Sequence, residues 1–396
     1  MDAVRNPFAP GAGNQPPELA GRHDILSAAN LTLSRAGQGR HAKSFMLIGL
    51  RGVGKTVLLN RIGLLAEEME FRALLIEAHE DKSLPELLMP PLRQALLGLD
   101  RAGKLNEKVK RGLRILKSFA NGLKVKYGEI EVGLDIDPEQ GIGDSGDLES
   151  DLPDLFVAIG EAAKARGTVV VLLIDELQYL SEDELSALIM GMHKISQKDL
   201  PLVLIGAGLP QLVGNMGRSK SYAERLFDFP KVGELSEKDS YVAIAEPVSK
   251  EGEKIAKAAV AEIVKATQGY PYFLQAWGYH SWNTAKKSPI SAKDVQVARK
   301  SVLESLDTSF FRVRFDRLTP SEKRYLRAMA ELGAGPHRSG DIAEILEVKV
   351  QSVAPVRNSL IRKGMIYSPS HGDTAFTVPL FDAFLKRQIR KFQRDA

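Results

Sequence analysis

The chain has 396 residues, a formal net charge of +4, 44% apolar residues and 26% charged residues. This length predicts two or three domains, and the composition is that of an ordinary globular protein. The lack of cysteine in the sequence excludes a disulfide framework, a thiolate metal site and a cysteine nucleophile. The N-terminal segment lacks the apolar core of a signal peptide, and no run approaches the ~20 apolar residues of a membrane span. We therefore expect a cytoplasmic protein without membrane contact.

The predicted elements begin with an arm at 1–20, which is rich in proline, glycine and alanine and is expected to be extended. From 21 to 235, helices alternate with short apolar strands. The helix near Asp24–Ala36 is followed by strands that end before Gly49, at Phe71–Ala78, at Thr168–Ile174 and in PLVLIGAG. This alternation predicts an α/β fold, in which helices cover both faces of a parallel sheet.

The sequence GLRGVGKT, from Gly49 to Thr56, matches the phosphate-binding pattern G-x-x-x-x-G-K-[ST], between a strand and a helix as that motif requires. Its glycines let successive amides point at phosphates, while Lys55 would reach the β- and γ-phosphates and the Thr56 hydroxyl would ligate Mg²⁺. An ordinary glycine turn is the alternative, which this context disfavours. The residues predicted to hold ATP here are Gly49, Arg51, Gly52, Val53, Gly54, Lys55, Thr56 and Val57.

The apolar strand in TVVVLLIDELQYL ends in Asp175 and Glu176. Two carboxylates at the end of a buried strand are costly without a metal or a cation. In P-loop enzymes an aspartate at this place holds Mg²⁺, directly or through water. We predict Asp175 as the metal residue, together with Thr56, and Glu176 as the base that activates water. A strand that simply ends in an acidic turn is the alternative.

The stretch at about 100–154 interrupts the alternation. It contains a basic helix, KLNEKVKRGLRILKSFANGL, a hairpin pattern around Tyr127–Gly128, and an acidic segment that is expected to be mobile. The basic helix has two interpretations: a contact with DNA or a partner, or a solvated helix paired with the acidic segment. The second is favoured, because charged helix faces are usually solvated.

Residues 236–310 predict a small helical domain, and 318–396 predict a winged helix-turn-helix with a hairpin around 370–373. Thr319 or Ser321, Ser339 and Ser352 are the expected N-caps of its three helices, with Pro355 in the first turn of the third. From 318 onward the sequence has 13 basic and 8 acidic residues, a clustering that fits phosphate contacts. The third helix would offer DNA the side chains of Lys349, Gln351, Ser352, Arg357, Asn358 and Arg362. Packing or protein contact is the alternative use of this domain.

A phosphate loop, a helical region and a winged helix in this order resemble the origin-recognition-type AAA+ ATPases and the related STAND-type signalling ATPases. The resemblance covers nearly the whole chain and implies ATP, Mg²⁺ and a helical lid. It also implies roles for Gly21 and Arg22 in ELAGRHDIL, beside the adenine. In SYAERLFDF, Arg225 matches the catalytic arginine that reaches a neighbour's γ-phosphate, with Arg218 as the alternative. That role would require a homo-oligomer.

Two departures from the family pattern stand out. The sensor strand ends in Gly206–Gly208, without the polar side chain that usually orients water, and Gln211 is the first candidate beyond it. The lid lacks a matching sensor arginine. It carries instead a sequence that resembles the G-x-P pattern of STAND proteins, and the resemblance implies that Pro271 of this pattern packs near the adenine. Each loss would cost catalysis about 10²-fold by analogy with one preorganised donor. The same stretch concentrates aromatic residues, which we assign to core packing rather than to base stacking.

These features predict a slow ATPase that acts as a nucleotide-controlled switch, with contact to double-stranded DNA through the winged helix. The alternative is a signalling ATPase whose winged helix contacts protein only. A remodelling chaperone would need fast hydrolysis, which the sensor departures disfavour.

Overall fold

The computed structural model describes residues 1–11, 13–99, 106–123, 137–370 and 372–389. The hairpin predicted around Tyr127–Gly128 lies outside the described residues. The chain forms two compact units. One comprises Asp24–Gly49 and Lys55–Val232, and the other comprises Met1–His23, Leu50–Gly54 and the residues from Gly233 onward.

The first unit contains a five-stranded parallel sheet with the strand order β2-β3-β4-β1-β5. Its strands are β1 (Ser44–Ile48), β2 (Arg72–Glu77), β3 (Val170–Asp175), β4 (Leu202–Gly208) and β5 (Phe227–Asp228). Its helices are α1 (His23–Gly37), α2 (Lys55–Glu68), α3 (Leu84–Gly98), α4 (Glu107–Gly122), α5 (Leu148–Ala165), α6 (Glu182–Gln197), α7 (Gln211–Ser219) and α8 (Ala223–Leu226). Every residue of β1, β3 and β4 is buried, because helices cover a parallel sheet and its central strands read as continuous apolar runs. The predicted α/β fold is confirmed, although the short edge strand β5 was missed.

The register of the sheet places the ends of three strands side by side. Ile48 in β1 is opposite Gly208 in β4, and Gly206 is opposite Ile174 in β3. The carboxyl ends of parallel strands share one edge, where ligands of open α/β sheets bind. Asp175 and the start of the phosphate loop therefore share that edge.

The basic helix α4 packs its apolar face in the core of this unit, with Val109 and Phe119 fully buried. On its other face Arg111 and Arg114 pair with Glu139 of the acidic segment, at 2.9 and 3.6 Å. These pairs favour the interpretation of α4 as a solvated helix paired with acidic residues. The acidic segment itself is more regular than expected, since α5 begins at Leu148 and the buried Asp151 accepts hydrogen bonds from the preceding loop.

The second unit begins its helical region with α9 (Glu237–Lys250), α10 (Lys257–Thr267), α11 (Pro271–Thr284), α12 (Ala292–Ser305) and α13 (Arg312–Asp316). A π-helical turn, Leu306–Phe311, joins α12 to α13. Phe273 and Trp282 of α11 are buried, which agrees with core packing. The N-terminal arm covers this helix: the Phe8 ring is 3% exposed and the Trp282 indole donates to the Asp2 carbonyl at 2.8 Å.

The remaining elements are α14 (Pro320–Leu332), β6 (His337–Arg338), α15 (Ser339–Ile345), α16 (Val350–Arg362), β7 (Ile366–Tyr367), β8 (Asp373–Phe376) and α17 (Phe381–Gln388). Strand β6 lies between α14 and α15, and β7 and β8 follow α16. The three strands form an antiparallel sheet of order β6-β8-β7, and this order of elements is typical of a winged helix. Thr319 caps α14 as predicted, accepting from the Glu322 amide. The predicted caps Ser339 and Ser352 are wrong, because α15 and α16 begin at Ser339 and Val350, so that both serines, and Pro355, are inside helices.

Candidate nucleotide-binding site

Four predicted site residues lie at the carboxyl edge of the sheet and are hydrogen-bonded in two pairs. The Thr56 hydroxyl donates to Asp175 Oδ2 at 2.5 Å, and Lys55 Nζ donates to the Gly49 carbonyl at 2.9 Å. Helix α2 begins at Lys55, so the residues that precede it supply amides at a helix N-terminus, which favours anions. A hydroxyl and a carboxylate in contact are a donor set that suits Mg²⁺. The residues present therefore fit a magnesium–nucleotide site.

Asp175 and Lys55 are both buried, with exposed fractions of 5% and 6%. Burial raises the pKa of Asp175, an effect that the hydrogen bond from Thr56 opposes and the nearby charge of Glu176 adds to. An ionised carboxylate in such a place is stabilised by a cation, as predicted from the strand end.

The backbone changes direction at Glu176, which has a left-handed conformation with φ of 54°. Its amide donates to Asp175 Oδ1 at 2.8 Å, and its carbonyl accepts from Tyr179, which closes a 3₁₀ turn over Leu177–Tyr179. A non-glycine residue in this region costs of order 1–3 kcal/mol and is commonest at functional sites. The turn brings a side chain that the sequence analysis missed, Gln178, onto Glu176: its amide nitrogen donates to Glu176 Oε2.

The apex of the phosphate loop, Leu50–Gly54, belongs to the second unit. The Tyr270 hydroxyl donates to the Arg51 carbonyl, and the Tyr272 amide donates to the Gly52 carbonyl at 3.3 Å. Gly52 has a φ of +83°, and a Cβ there would lie 3.1 Å from the Tyr270 ring. The apex therefore sits on the residues that flank the start of α11.

The winged helix also contacts this apex. The Arg51 amide donates to the Thr377 carbonyl, and its Nε donates to the Gly364 carbonyl, both at 3.3 Å. Gly364 has a φ of +63°, and a Cβ there would lie 2.6 Å from Arg51 Nη2. Only glycine combines this conformation with so close an approach. No sequence pattern indicated that Arg51 would contact the winged helix.

Arg22 lies behind the loop rather than at its surface. Its guanidinium donates to the carbonyls of Val53, at 3.1 Å, and Gly233. Burial lowers the pKa of Arg22, while Asp239 and Glu234 oppose the shift. The preceding Gly21 has a φ of +67° and approaches Asp239 closely. These contacts give Arg22 a role in supporting the loop, in addition to the predicted place beside adenine.

Residues 18–205 match the family model described as "AAA ATPase domain". The chain carries an AAA ATPase domain. A second model, described as "Domain of unknown function", matches residues 308–385, which contain the winged helix. The residues that match the AAA ATPase domain comprise β1 to β3, the start of β4, the phosphate loop and the Asp175–Glu176 pair.

Among curated proteins, the chain is 23% identical to the "uncharacterized HTH-type transcriptional regulator MJ0774" of Methanocaldococcus jannaschii, over 94% of this chain and 89% of that one. Among solved structures, it resembles "the Walker-type ATPase PABY2304" of Pyrococcus abyssi, with 17% identity, a TM-score of 0.55 and coverage of 94% and 97%. This likeness confirms the fold. Aeropyrum pernix ORC1 in complex with DNA gives a TM-score of 0.47 at 13% identity, with coverage of 97% and 96%.

The two candidates for the catalytic arginine, Arg218 and Arg225, follow the residues that match the AAA ATPase domain. Arg225 is exposed on α8. Arg218, the alternative, is exposed on α7 but pairs with Glu182 at 3.4 Å and Asn215 at 2.7 Å. Pro271 is the first residue of α11.

The residues predicted to contact DNA do not form one uniform surface. Exposed side chains on or just before α16 are Lys349, Gln351, Ser352, Asn358 and Arg362. Arg357 differs, because its guanidinium donates to Thr374, Ser368 and the Asp373 carbonyl at 2.9–3.1 Å. It thereby ties α16 to the wing. In the part of the chain that the structure describes, no helix is long and apolar enough to cross a membrane.

Proposed function

We propose that the protein is a slow ATPase that works as a nucleotide-controlled switch, with the winged helix as its output and double-stranded DNA as the contact of that output. The observation that carries this proposal is the double attachment of Arg51. This residue of the phosphate loop is hydrogen-bonded to Tyr270, just before α11 of the helical region, and to the winged helix. A change in the loop on ATP binding would therefore act directly on the winged helix.

ATP binding would change the hydrogen-bond partners of Lys55, Thr56 and Asp175. The ammonium group of Lys55 is directed at the Gly49 carbonyl, and it must turn toward the β- and γ-phosphates to bind them. Thr56 and Asp175 must exchange their mutual hydrogen bond for Mg²⁺, whose charge would offset that of the phosphates. Nucleotide can shift the position of the winged helix only by binding its two positions with different affinity. The contacts of Arg51 provide a physical basis for such a difference.

In the hydrolytic step, Glu176 would accept a proton from a water whose oxygen attacks the γ-phosphorus. The bond from that phosphorus to the β–γ bridging oxygen breaks as the new bond forms, and ADP and phosphate result. Arg225 would stabilise the developing charge in the site of a neighbouring copy, as catalytic arginines do in P-loop ATPases. Slow turnover is proposed because no lid arginine matches the family's sensor position.

The DNA contact rests on charge and exposure. Lys349 and Arg362 are exposed near the two ends of α16, with Gln351 and Asn358 between them. The third helix of a winged helix is the one that enters the major groove. The curated relative named as an HTH-type transcriptional regulator supports the same output.

A protein contact is the second candidate, because the start of α16 is partly apolar. Val348 and Val350 are 44% and 50% exposed, beside the exposed Pro355. Exposed apolar groups of this kind are typical of protein interfaces when they are contiguous. In this version the same switch would present α16 to a protein.

The test is binding of a labelled mixed-sequence duplex across a salt series, without nucleotide, with ADP, and with ATP in Glu176→Gln. We expect an affinity that depends on nucleotide and falls steeply with salt, since each neutralised phosphate contributes about 0.9 to the slope. Arg362→Ala should reduce that slope by about one, whereas Arg299→Ala, an exposed arginine of α12, should leave it unchanged. No binding at low salt in any nucleotide state would reject the DNA output and leave the protein contact.

A further inference from the structure

The sensor strand β4 ends in Gly206, Ala207 and Gly208, where related ATPases carry a polar side chain. Residues of the turn that follows Asp175 pack close to both glycines. A Cβ on Gly206 would collide with Leu177 and with Met46, and a Cβ on Gly208 would lie 2.6 Å from Leu212 and 3.1 Å from Gln178 Oε1. The small residues of β4 thus make room for the 3₁₀ turn Leu177–Tyr179.

Gln178 connects the two strand ends through its side-chain amide. Its Oε1 accepts the Leu209 backbone N–H at 3.0 Å, and its Nε2 donates to Glu176 Oε2. Because a backbone N–H can only be met by the amide oxygen, this contact fixes the orientation of the amide and leaves the NH₂ group for the carboxylate. Gln178 therefore links the Glu176 carboxylate to the backbone of Leu209, the first residue after β4.

Gln211, the residue first considered for this role, is placed differently. It is the first residue of α7, and its side-chain oxygen is buried without a hydrogen-bond partner among the described residues. Gln178, in contrast, touches both the sensor strand end and the predicted base.

We propose that Gln178 is a positioning residue for Glu176 and takes the place of the sensor side chain that β4 lacks. Its amide holds the Glu176 carboxylate in the orientation from which the carboxylate accepts the proton of the attacking water. This inference rests on the proposed ATPase function. Gln178 acts through Glu176, so its removal lowers turnover without weakening nucleotide binding.

The experiment measures kcat, KM and nucleotide affinity of the full chain for the wild type, Gln178→Leu and Gln178→Glu. Leucine removes both hydrogen bonds. Glutamate keeps an acceptor for Leu209 but cannot donate to Glu176 when ionised. Both variants should lose roughly 10- to 100-fold in kcat, as outer-shell partners of catalytic groups usually do. Their KM and nucleotide affinity should stay near the wild-type values. The melting temperature of Gln178→Leu should fall, because the buried Leu209 N–H loses its acceptor.

A double-mutant comparison separates positioning from a structural role. In the Glu176→Gln background, Gln178→Leu should cause no further loss of kcat, because residues that act as one unit are not additive. A Gln178→Glu variant with wild-type kcat would overturn the inference, because the amide would then only support the end of β4. Variants with raised kcat would overturn it too, because the hydrogen bond to Glu176 would then slow the reaction. A wild-type rate no higher than that of Glu176→Gln would overturn the ATPase proposal and this inference together.

Discussion

At the scale of residues, the polar groups of the candidate site are hydrogen-bonded to one another and to the backbone. Lys55 donates to Gly49, Thr56 donates to Asp175, and Glu176 accepts from Gln178. Each of these hydrogen bonds satisfies a buried or half-buried polar group that would otherwise lose its solvation. In the proposed function, phosphate, Mg²⁺ and water would replace these partners when nucleotide binds.

Lys55→Ala should lower ATP affinity by at least about 100-fold, because it removes a charge-assisted contact to the phosphates in a water-poor site. Glu176→Gln should bind ATP as the wild type does but lose about 10²- to 10⁴-fold in kcat, the usual worth of a general base. Calorimetric titration with ATP and Mg²⁺, together with phosphate-release assays, measures both effects. Equal loss of binding in the two variants would assign Glu176 to binding rather than to catalysis.

At the scale of elements, the capping residue of α14 belongs to a wider network. Glu322, 3% exposed, accepts from the Thr319 amide at 2.8 Å, from Ser359 at 2.8 Å and from Lys363 at 2.8 Å. It joins the start of α14 to the end of α16, next to Gly364. Burial alone would raise the pKa of Glu322, but Lys363 and the hydrogen bonds outweigh it and hold this pKa below its usual value.

A lowered carboxyl pKa in the folded state stabilises the protein above the unfolded pKa of about 4.3, and this contribution is lost as the pH falls through the folded pKa. Glu322→Gln should therefore lower the melting temperature at pH 7, by an amount equivalent to about 1–3 kcal/mol for a lost charged hydrogen bond. The difference from the wild type should shrink as the pH falls below 4.5, the ordinary value for glutamate. Glu344→Gln, an exposed glutamate of α15, is the control. A difference that is independent of pH would contradict this account.

The sequence predicted the elements whose signals are local. The strand before Gly49, the strand that ends at Asp175 and the cap Thr319 were found because periodicity, motif spacing and capping chemistry act over a few residues. The caps of α15 and α16 were missed, because these helices begin after Arg338 and Lys349, whose side chains make no cap hydrogen bond and leave no capping signal in the sequence. Gln178 was missed because its role depends on the register of β4, in which two glycines open the space beside it. The contact of Arg51 with Gly364 joins residues that are more than 300 positions apart, and no local pattern encodes it.

At the scale of the whole molecule, the proposed switch depends on the loop apex, the lid and the winged helix as parts of one compact unit. The same winged helix that carries α16 also donates the Thr377 and Gly364 carbonyls to Arg51. DNA or protein bound on α16 should in turn change ATP affinity, because coupling between two sites is reciprocal.

Arg225 tests whether the active form is an oligomer. Arg225→Ala and Glu176→Gln should each be inactive alone, the first by about 10³-fold or more if it supplies the catalytic arginine. An equimolar mixture should recover part of the activity, because an intact Glu176 in one copy can meet an intact Arg225 from another. Arg218→Ala is the matched control. A mixture without recovery would assign the catalytic arginine elsewhere.

The most direct test of the switch uses the cysteine-free chain to place two spin labels uniquely. Val297 on α12 and Val350 on α16 are 61% and 50% exposed, so Val297→Cys and Val350→Cys can be labelled with little disturbance. Pulsed electron spin measurements give the distance distribution without nucleotide and with ATP and Mg²⁺ in Glu176→Gln. The account predicts that ATP changes the distance distribution of the otherwise unchanged chain and leaves that of Lys55→Ala unchanged. In Arg51→Ala without nucleotide, the distribution should shift part of the way toward the one seen with ATP. Identical distributions at saturating ATP would contradict control of the winged helix by the phosphate loop.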